Sequence, residues 1–180
     1  ETNTRNCILL DASGSMGYKS SNVSKLEYAI TLAASLSYLF IKQSDSIGFI
    51  TSNNDKINYI PPRTGMSHFN YIISALEKVS PIGKTNIEEI IVSFLERFNK
   101  KAAIIVISDF FDDTEKILKC LKQFRSRKNE VILFQILDPY ELEFPFEVPM
   151  RFVSMEDERS TTANSKAIKK SYIANINLFI

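Results

Sequence analysis

Apolar residues along this chain fall into two alternating patterns. Short runs, "CILL" (7–10), "IGFI" (47–50), "AAIIVI" (102–107) and "VILFQIL" (131–137), are nearly continuous and rich in β-branched side chains, as expected of strands buried on both faces. Between them the period lengthens to that of a helix. Leu26, Ala29, Ile30, Ala33 and Leu36 share one face behind Ser24 and Glu27, which spell a capping box. Phe69, Ile72, Ile73 and Leu76 repeat the pattern after Ser67, and Ile87, Ile90, Ile91, Phe94, Leu95 and Phe98 match it at every offset. Ile117, Leu118, Leu121 and Phe124 do so again after Asp112 and Asp113, and the closing "SKAIKKSYIANINLFI" places Ile168, Tyr172, Ile173 and Ile176 on one side. "SNND" at 52–55 is a turn, which makes "IGFI" and "INYI" (57–60) an antiparallel hairpin at one sheet edge.

Strands alternating with helices predict a three-layer α/β fold with a mostly parallel sheet and helices on both faces. Right-handed crossovers leave few topologies, of which the doubly wound order 3-2-1-4-5 is the expected one. The acidic, aromatic stretch "PYELEFPFEVP" (139–149) reads as a loop covering the sheet edge before a sixth, short strand at "RFVSM". Its alternative reading is a partner-docking surface.

The 180 residues suit a single domain over 1–180. A chain that opens without Met and stops on "INLFI" is expected to be a segment of a larger protein. With 22 basic against 21 acidic residues, spread along the chain for a net charge of +1, nothing suggests a nucleic-acid binder. Two cysteines, Cys7 and Cys120, both in apolar patterns and with no CxxC, favour a reducing, cytoplasmic compartment. The stretch "AITLAASLSYLFI" (29–41) is too short to span a bilayer and is interrupted by Thr31, Ser35 and Ser37. No membrane insertion of this segment is expected.

In a doubly wound sheet, ligands bind at the carboxyl ends of the strands where the winding reverses, between the first and fourth strands. Those ends carry oxygens. The first strand runs into "DASGS", which supplies Asp11, Ser13 and Ser15; "AAIIVI" runs into Ser108 and Asp109; and "GKTNIEE" puts Thr85 at the start of a helix. Each has a plainer reading. "DASGS" has turn composition, Thr85 with Glu88 spells a capping box, Asp109 is a polar residue at a strand end, Asp112 and Asp113 suit a helix cap, and the sole histidine, His68, suits a structural role. The joint occurrence of five hard oxygen donors in three segments points to a divalent cation.

"DASGS" resembles the DxSxS element of the metal-ion-dependent adhesion site of von Willebrand factor A domains, with Thr85 and Asp109 in the places of that site's later Thr and Asp. The resemblance implies a Rossmann-like von Willebrand factor A fold. More narrowly, "KLEYAITLAASLSYLFIKQSDSIGFI", "PPRTG", "VISDFFDD" and "QILDPYELEFPF" resemble a bacterial family catalogued as domain of unknown function 58, whose genes commonly neighbour MoxR-type AAA+ ATPases. One departure is "GKT" where many such domains have "GGT", which sets Lys84 near the site.

The implied ligands suit Mg²⁺ or Mn²⁺: hydroxyls of Ser13, Ser15 and Thr85 bind directly while Asp11 and Asp109 act through waters, since Mg²⁺ keeps several waters. The ion then stays under-neutralised and accepts a carboxylate from another protein. The expected function is a metal-dependent protein–protein interaction module, not an enzyme, with a MoxR-type ATPase as the implied partner. The competing classes are a Mg²⁺-dependent hydrolase or phosphotransferase and a structural domain with a vestigial site. Against the former, the chain carries no Walker loop and no GxSxG elbow.

Overall fold

The computed structural model describes residues 4–53, 56–84, 87–157 and 159–180. Strand β1 (Arg5–Leu10) lies at the centre of a five-stranded sheet, parallel to β2 (Ser46–Asn53) on one side and to β4 (Ala103–Ser108) on the other. Strand β5 (Glu130–Gln135) continues the sheet parallel to β4, and β3 (Lys56–Arg63) closes the opposite edge antiparallel to β2. The order is β3-β2-β1-β4-β5, as the alternation of patterns predicts.

Period-two alternation along the central strands creates the two faces. Ile8 and Leu10 of β1 with Ile105 and Ile107 of β4 pack under α1 (Lys25–Lys42) and α2 (Met66–Leu76). Cys7 and Leu9 with Ile104 and Val106 pack under α3 (Ile87–Arg97) and α4 (Thr114–Ser126). Phe94 anchors the second face, its ring 5.1 Å from Phe98 and 5.8 Å from Phe124. Burying a side chain of that kind contributes about 1.5–3 kcal/mol.

Helices α1 and α4 begin where their caps foretell, whereas α2 starts before Ser67, behind Gly65. Ser24 and Glu27 form a complete capping box on α1, and Asp113 accepts from Glu115 and Lys116 N–H at the start of α4. Both cysteines are buried and free. His68 places Nε2 2.7 Å from the Ile47 carbonyl, a structural bond between α2 and the sheet.

Three expectations need correction. The run at 131–137 is not buried on both faces: Ile132 and Leu133 are 47% and 46% exposed, because β5 is an edge strand. The stretch 139–149 is not simply a loop, since α5 (Pro139–Glu143) forms there behind a capping box of Asp138 and Glu141. Finally, the "RFVSM" segment adds no sixth strand to the sheet. Strand β6 (Pro149–Val153) pairs only with β7 (Ser160–Asn164), in a separate antiparallel hairpin. The final helix α6 (Ser165–Phe179) buries Ile176 and leaves Ile168 exposed, so its expected apolar face is only partly used.

Candidate metal centre

The winding reverses between β1 and β4. From β1 the chain crosses to α1 on one face, and from β4 it crosses to α4 on the other. The two connections diverge and leave a crevice at the carboxyl ends of these strands, which their adjacent register brings level. The first connection is a 3₁₀ turn over Gly14–Gly17, and Gly14 N–H donates to the Gly83 carbonyl at 2.9 Å. That bond holds the segment before α3 against the site loop.

Four of the five predicted donors meet here. Asp11 is 5% exposed, Ser13 2% and Asp109 2%. Ser13 Oγ lies 3.0 Å from Ser15 Oγ, and Ser15 Oγ donates to Asp109 Oδ2 at 2.7 Å. Thr85 lies outside the described residues. Asp11 Oδ1 accepts from Ser13 N–H at 2.9 Å, and its Oδ2 accepts from the hydroxyl of Ser108. Both of its oxygens are therefore engaged in shaping the loop, which suits the outer role assigned to it. Asp109 Oδ1 accepts from Phe111 N–H at 3.1 Å.

The spacing can be tested against a cation. Neighbouring oxygens on an octahedral Mg²⁺ with bonds of about 2.0–2.1 Å stand about 2.8–3.0 Å apart. The Ser13–Ser15 separation falls in that range, and the Ser15–Asp109 hydrogen bond is slightly shorter. Among the described residues, no three of His, Cys, Asp and Glu group as a metal site. The donors are hydroxyls with two carboxylates, a set that fits a hydrated hard cation and would not hold a soft one.

Sequence reasoning missed the strongest electrostatic feature. Lys25, the first residue of α1 and 3% exposed, sends its ammonium to Asp109 Oδ2 at 2.8 Å and to Glu141 Oε1 at 2.6 Å. It also lies 5.1 Å from the centre of the Phe111 ring, which stacks on Phe179 of α6. One signal was available: a cation in the first turn opposes the helix macrodipole, and such a lysine needs a specific acidic partner. Glu141 is doubly used, because its Oε2 accepts from Asp138 N–H at 2.8 Å in the α5 capping box. Burial pushes its carboxyl up and Asp109 adds to the rise, against the opposing pull of Asp138 N–H and Lys25. Lys84 does not enter the crevice; its side chain is 65% exposed and pairs with Asp157 at 3.5 Å.

Residues 1–177 match the family described as "Protein of unknown function DUF58". The chain belongs to that family. Uncharacterised proteins of Mycobacterium bovis and Mycobacterium tuberculosis are each 23% identical over 141 residues, a region covering 77% of this chain. The match spans 44% of the length of those relatives. Among solved structures, an aerotolerance-related membrane protein from Bacteroides fragilis with multiple mutations to serines is 22% identical, with a TM-score of 0.64 over 96% of this chain and 87% of its own. BatB, a conserved hypothetical protein from Bacteroides thetaiotaomicron, matches at 22% identity and TM-score 0.62 over 96% and 85%. The VWA domain of SpRpn10 matches at 14% identity and TM-score 0.52 over 72% of each chain. These likenesses establish the von Willebrand factor A-like fold. Among the described residues no helix is long and apolar enough to cross a membrane.

Proposed function

We propose that this domain is a protein-interaction module whose docking site is completed by a divalent cation, Mg²⁺ or Mn²⁺. The observation that carries the reading is the convergence of Ser13, Ser15, Asp11 and Asp109 at the reversal point, with hydroxyl spacing that suits a hydrated hard ion. Ser13 and Ser15, with Thr85 from the segment before α3, would hold the ion. Asp11 and Asp109 would orient its waters. When bound, the ion supplies an electrophilic position that a partner's Asp or Glu side chain can fill.

The residues themselves favour docking over turnover. A general base must stand within hydrogen-bond reach of the proton it takes. Lys25 is engaged with two carboxylates, and His68 is engaged with the Ile47 carbonyl. Ser15 donates its hydrogen bond to Asp109 Oδ2, the same oxygen that pairs with Lys25, so that oxygen is already engaged twice. The resemblance to families encoded beside MoxR-type AAA+ ATPases supplies the first partner to test, in a cytoplasmic assembly or maturation step, with this domain as one part of a larger chain.

Thermal melting in rising Mg²⁺ tests the reading. Wild type should gain stability logarithmically with concentration, about 2.7 kcal/mol at 100 times the dissociation constant. Asp11→Ala, or Ser13→Ala with Ser15→Ala, should abolish the gain. An unchanged melting midpoint in wild type through millimolar Mg²⁺ and Mn²⁺ would count against the metal. Pull-down of a MoxR-type ATPase that is equal in Mg²⁺ and in EDTA would remove the ion from the interface.

A further inference from the structure

The β6–β7 hairpin stands apart from the main sheet, yet its tip rests on the candidate metal centre. A Cβ built on Gly14 would lie 2.0 Å from the Met155 carbonyl oxygen and 3.4 Å from the Glu156 Cα, and one on Gly17 would lie 3.4 Å from the Met155 Cε. The tip is shaped to present Glu156. Ser154 N–H donates to the Arg159 carbonyl at 2.9 Å, and the Ser154 hydroxyl accepts from Glu156 N–H at 3.3 Å and Asp157 N–H at 3.2 Å. Asp157 ties back to Arg159 at 2.7 Å.

The Glu156 side chain points into a place that already has enough negative charge. It lies half-buried beside the Ser15 hydroxyl, with the carboxylates of Asp109, Asp11 and Asp112 around it. Ser15 has one proton, and Asp109 takes it at 2.7 Å. Two carboxylates therefore converge on one hydroxyl, and the hydroxyl can donate to only one of them. A carboxylate so placed makes sense when a cation lies among these oxygens.

We propose that Glu156 is the chain's own occupant of the docking position, a carboxylate held in cis where a partner's Asp or Glu would bind. The inference rests on the metal-dependent docking reading above. Its structural basis is the difference between the two ends of the hairpin. Phe152 of β6 is fixed among Phe144 and Phe146, each with its ring centre 5.8 Å away, whereas among the described residues the tip meets the rest of the chain through the surface Lys84–Asp157 pair, Glu156 at Ser15, and its contact with Gly14 and Gly17. Such a surface pair is worth less than about 1 kcal/mol. The aromatic end can act as the hinge and the tip as the part that yields to a partner.

The test uses Mn²⁺ and a short peptide bearing a single glutamate side chain, titrated calorimetrically into Mn²⁺-saturated protein, with Mn²⁺ uptake followed separately by electron paramagnetic resonance. An internal occupant in place nine-tenths of the time lowers apparent affinity about tenfold. Glu156→Gln should therefore bind the peptide about tenfold more tightly than wild type. Ser154→Ala, which loosens the tip without touching the centre, should give a smaller gain in the same direction. Should Mn²⁺ bind to both proteins and the peptide bind equally, or to neither, the metal reading stands and the internal occupant is overturned. Absence of Mn²⁺ uptake in wild type overturns the metal reading and this inference with it. A metal-free Glu156→Gln that melts well below wild type would show instead that the side chain is a structural acceptor.

Discussion

Replacing Lys25 by Met removes the buried ammonium from between two carboxylates while keeping most of the side-chain volume. At 2.8 Å and 2.6 Å from Asp109 and Glu141, each contact is worth about 6 kcal/mol before solvation at an effective dielectric of about 20. Desolvation of the three charges cancels much of this. Removing one partner of such a cluster nevertheless destabilises by about 3–5 kcal/mol, because the remaining charges are left buried and unpaired. Asp109 bears the loss, since its side chain is 3% exposed while that of Glu141 is 16% exposed and can turn to water. For a domain of this size each kcal/mol moves the melting midpoint by about 2–4 °C, so Lys25→Met in EDTA should melt about 6–20 °C lower. Mg²⁺ should then stabilise the variant more than wild type, as the only cation left beside Asp109, and adding Glu141→Gln should recover part of the loss. Differential scanning calorimetry on the three proteins, with and without Mg²⁺, checks this. A shift below about 3 °C in EDTA, or a double variant as unstable as the sum of the singles, would refute the view that Lys25 neutralises the centre.

Other consequences follow from the same geometry. Gly14→Ala puts a methyl group into the Met155 carbonyl, so it should cost about 1–3 kcal/mol by overpacking, measured by urea unfolding, and raise protease sensitivity at the hairpin tip. Burial raises the Asp138 carboxyl, but hydrogen bonds from Ser20 and Tyr140 and the charge of Lys25 outweigh it and hold the group low. Its contribution is therefore present above the unfolded Asp range near pH 4 and lost as the pH falls through the lower folded value. Asp138→Asn should flatten the acid limb of stability while keeping the α5 cap, since Asn caps about as well as Asp, whereas Asp138→Ala should cost about 1 kcal/mol at neutral pH. Burial pushes the thiols of Cys7 and Cys120 up, so neither should react with a disulfide reagent at pH 8 until the protein unfolds.

Much of this protein was legible along the chain because its signals are local. The strands that lie inside the sheet, the capping box at Ser24, the cap at Asp113, and the order of layers follow from periods and caps that need no distant neighbour. Asp11, Ser13, Ser15 and Asp109 could be singled out because a strand that ends in oxygens is visible in a dozen residues. The 139–149 stretch shows the limit: its Asp138–Glu141 box can be read as a helix start, but proline and aromatic content pulled the reading toward a loop. Burial at the sheet edge was beyond local pattern, since Ile132 and Leu133 look like core until it is known that no described strand pairs with the outer edge of β5.

What only the tertiary structure decided is who meets whom at the centre. Lys25, Glu141 and Glu156 stand 84, 32 and 47 positions from Asp109 along the chain, and no spacing rule connects them. Their meeting depends on where α1 begins over the sheet, on the α5 cap, and on a hairpin that stays outside the main sheet and folds its tip onto Gly14. The sequence by itself determined that hard oxygens gather at the reversal point, because strand ends and winding are set by local pattern. Which charges balance those oxygens was settled by packing, because a buried charge is tolerable only beside its partner, and the partners are brought together by the whole fold.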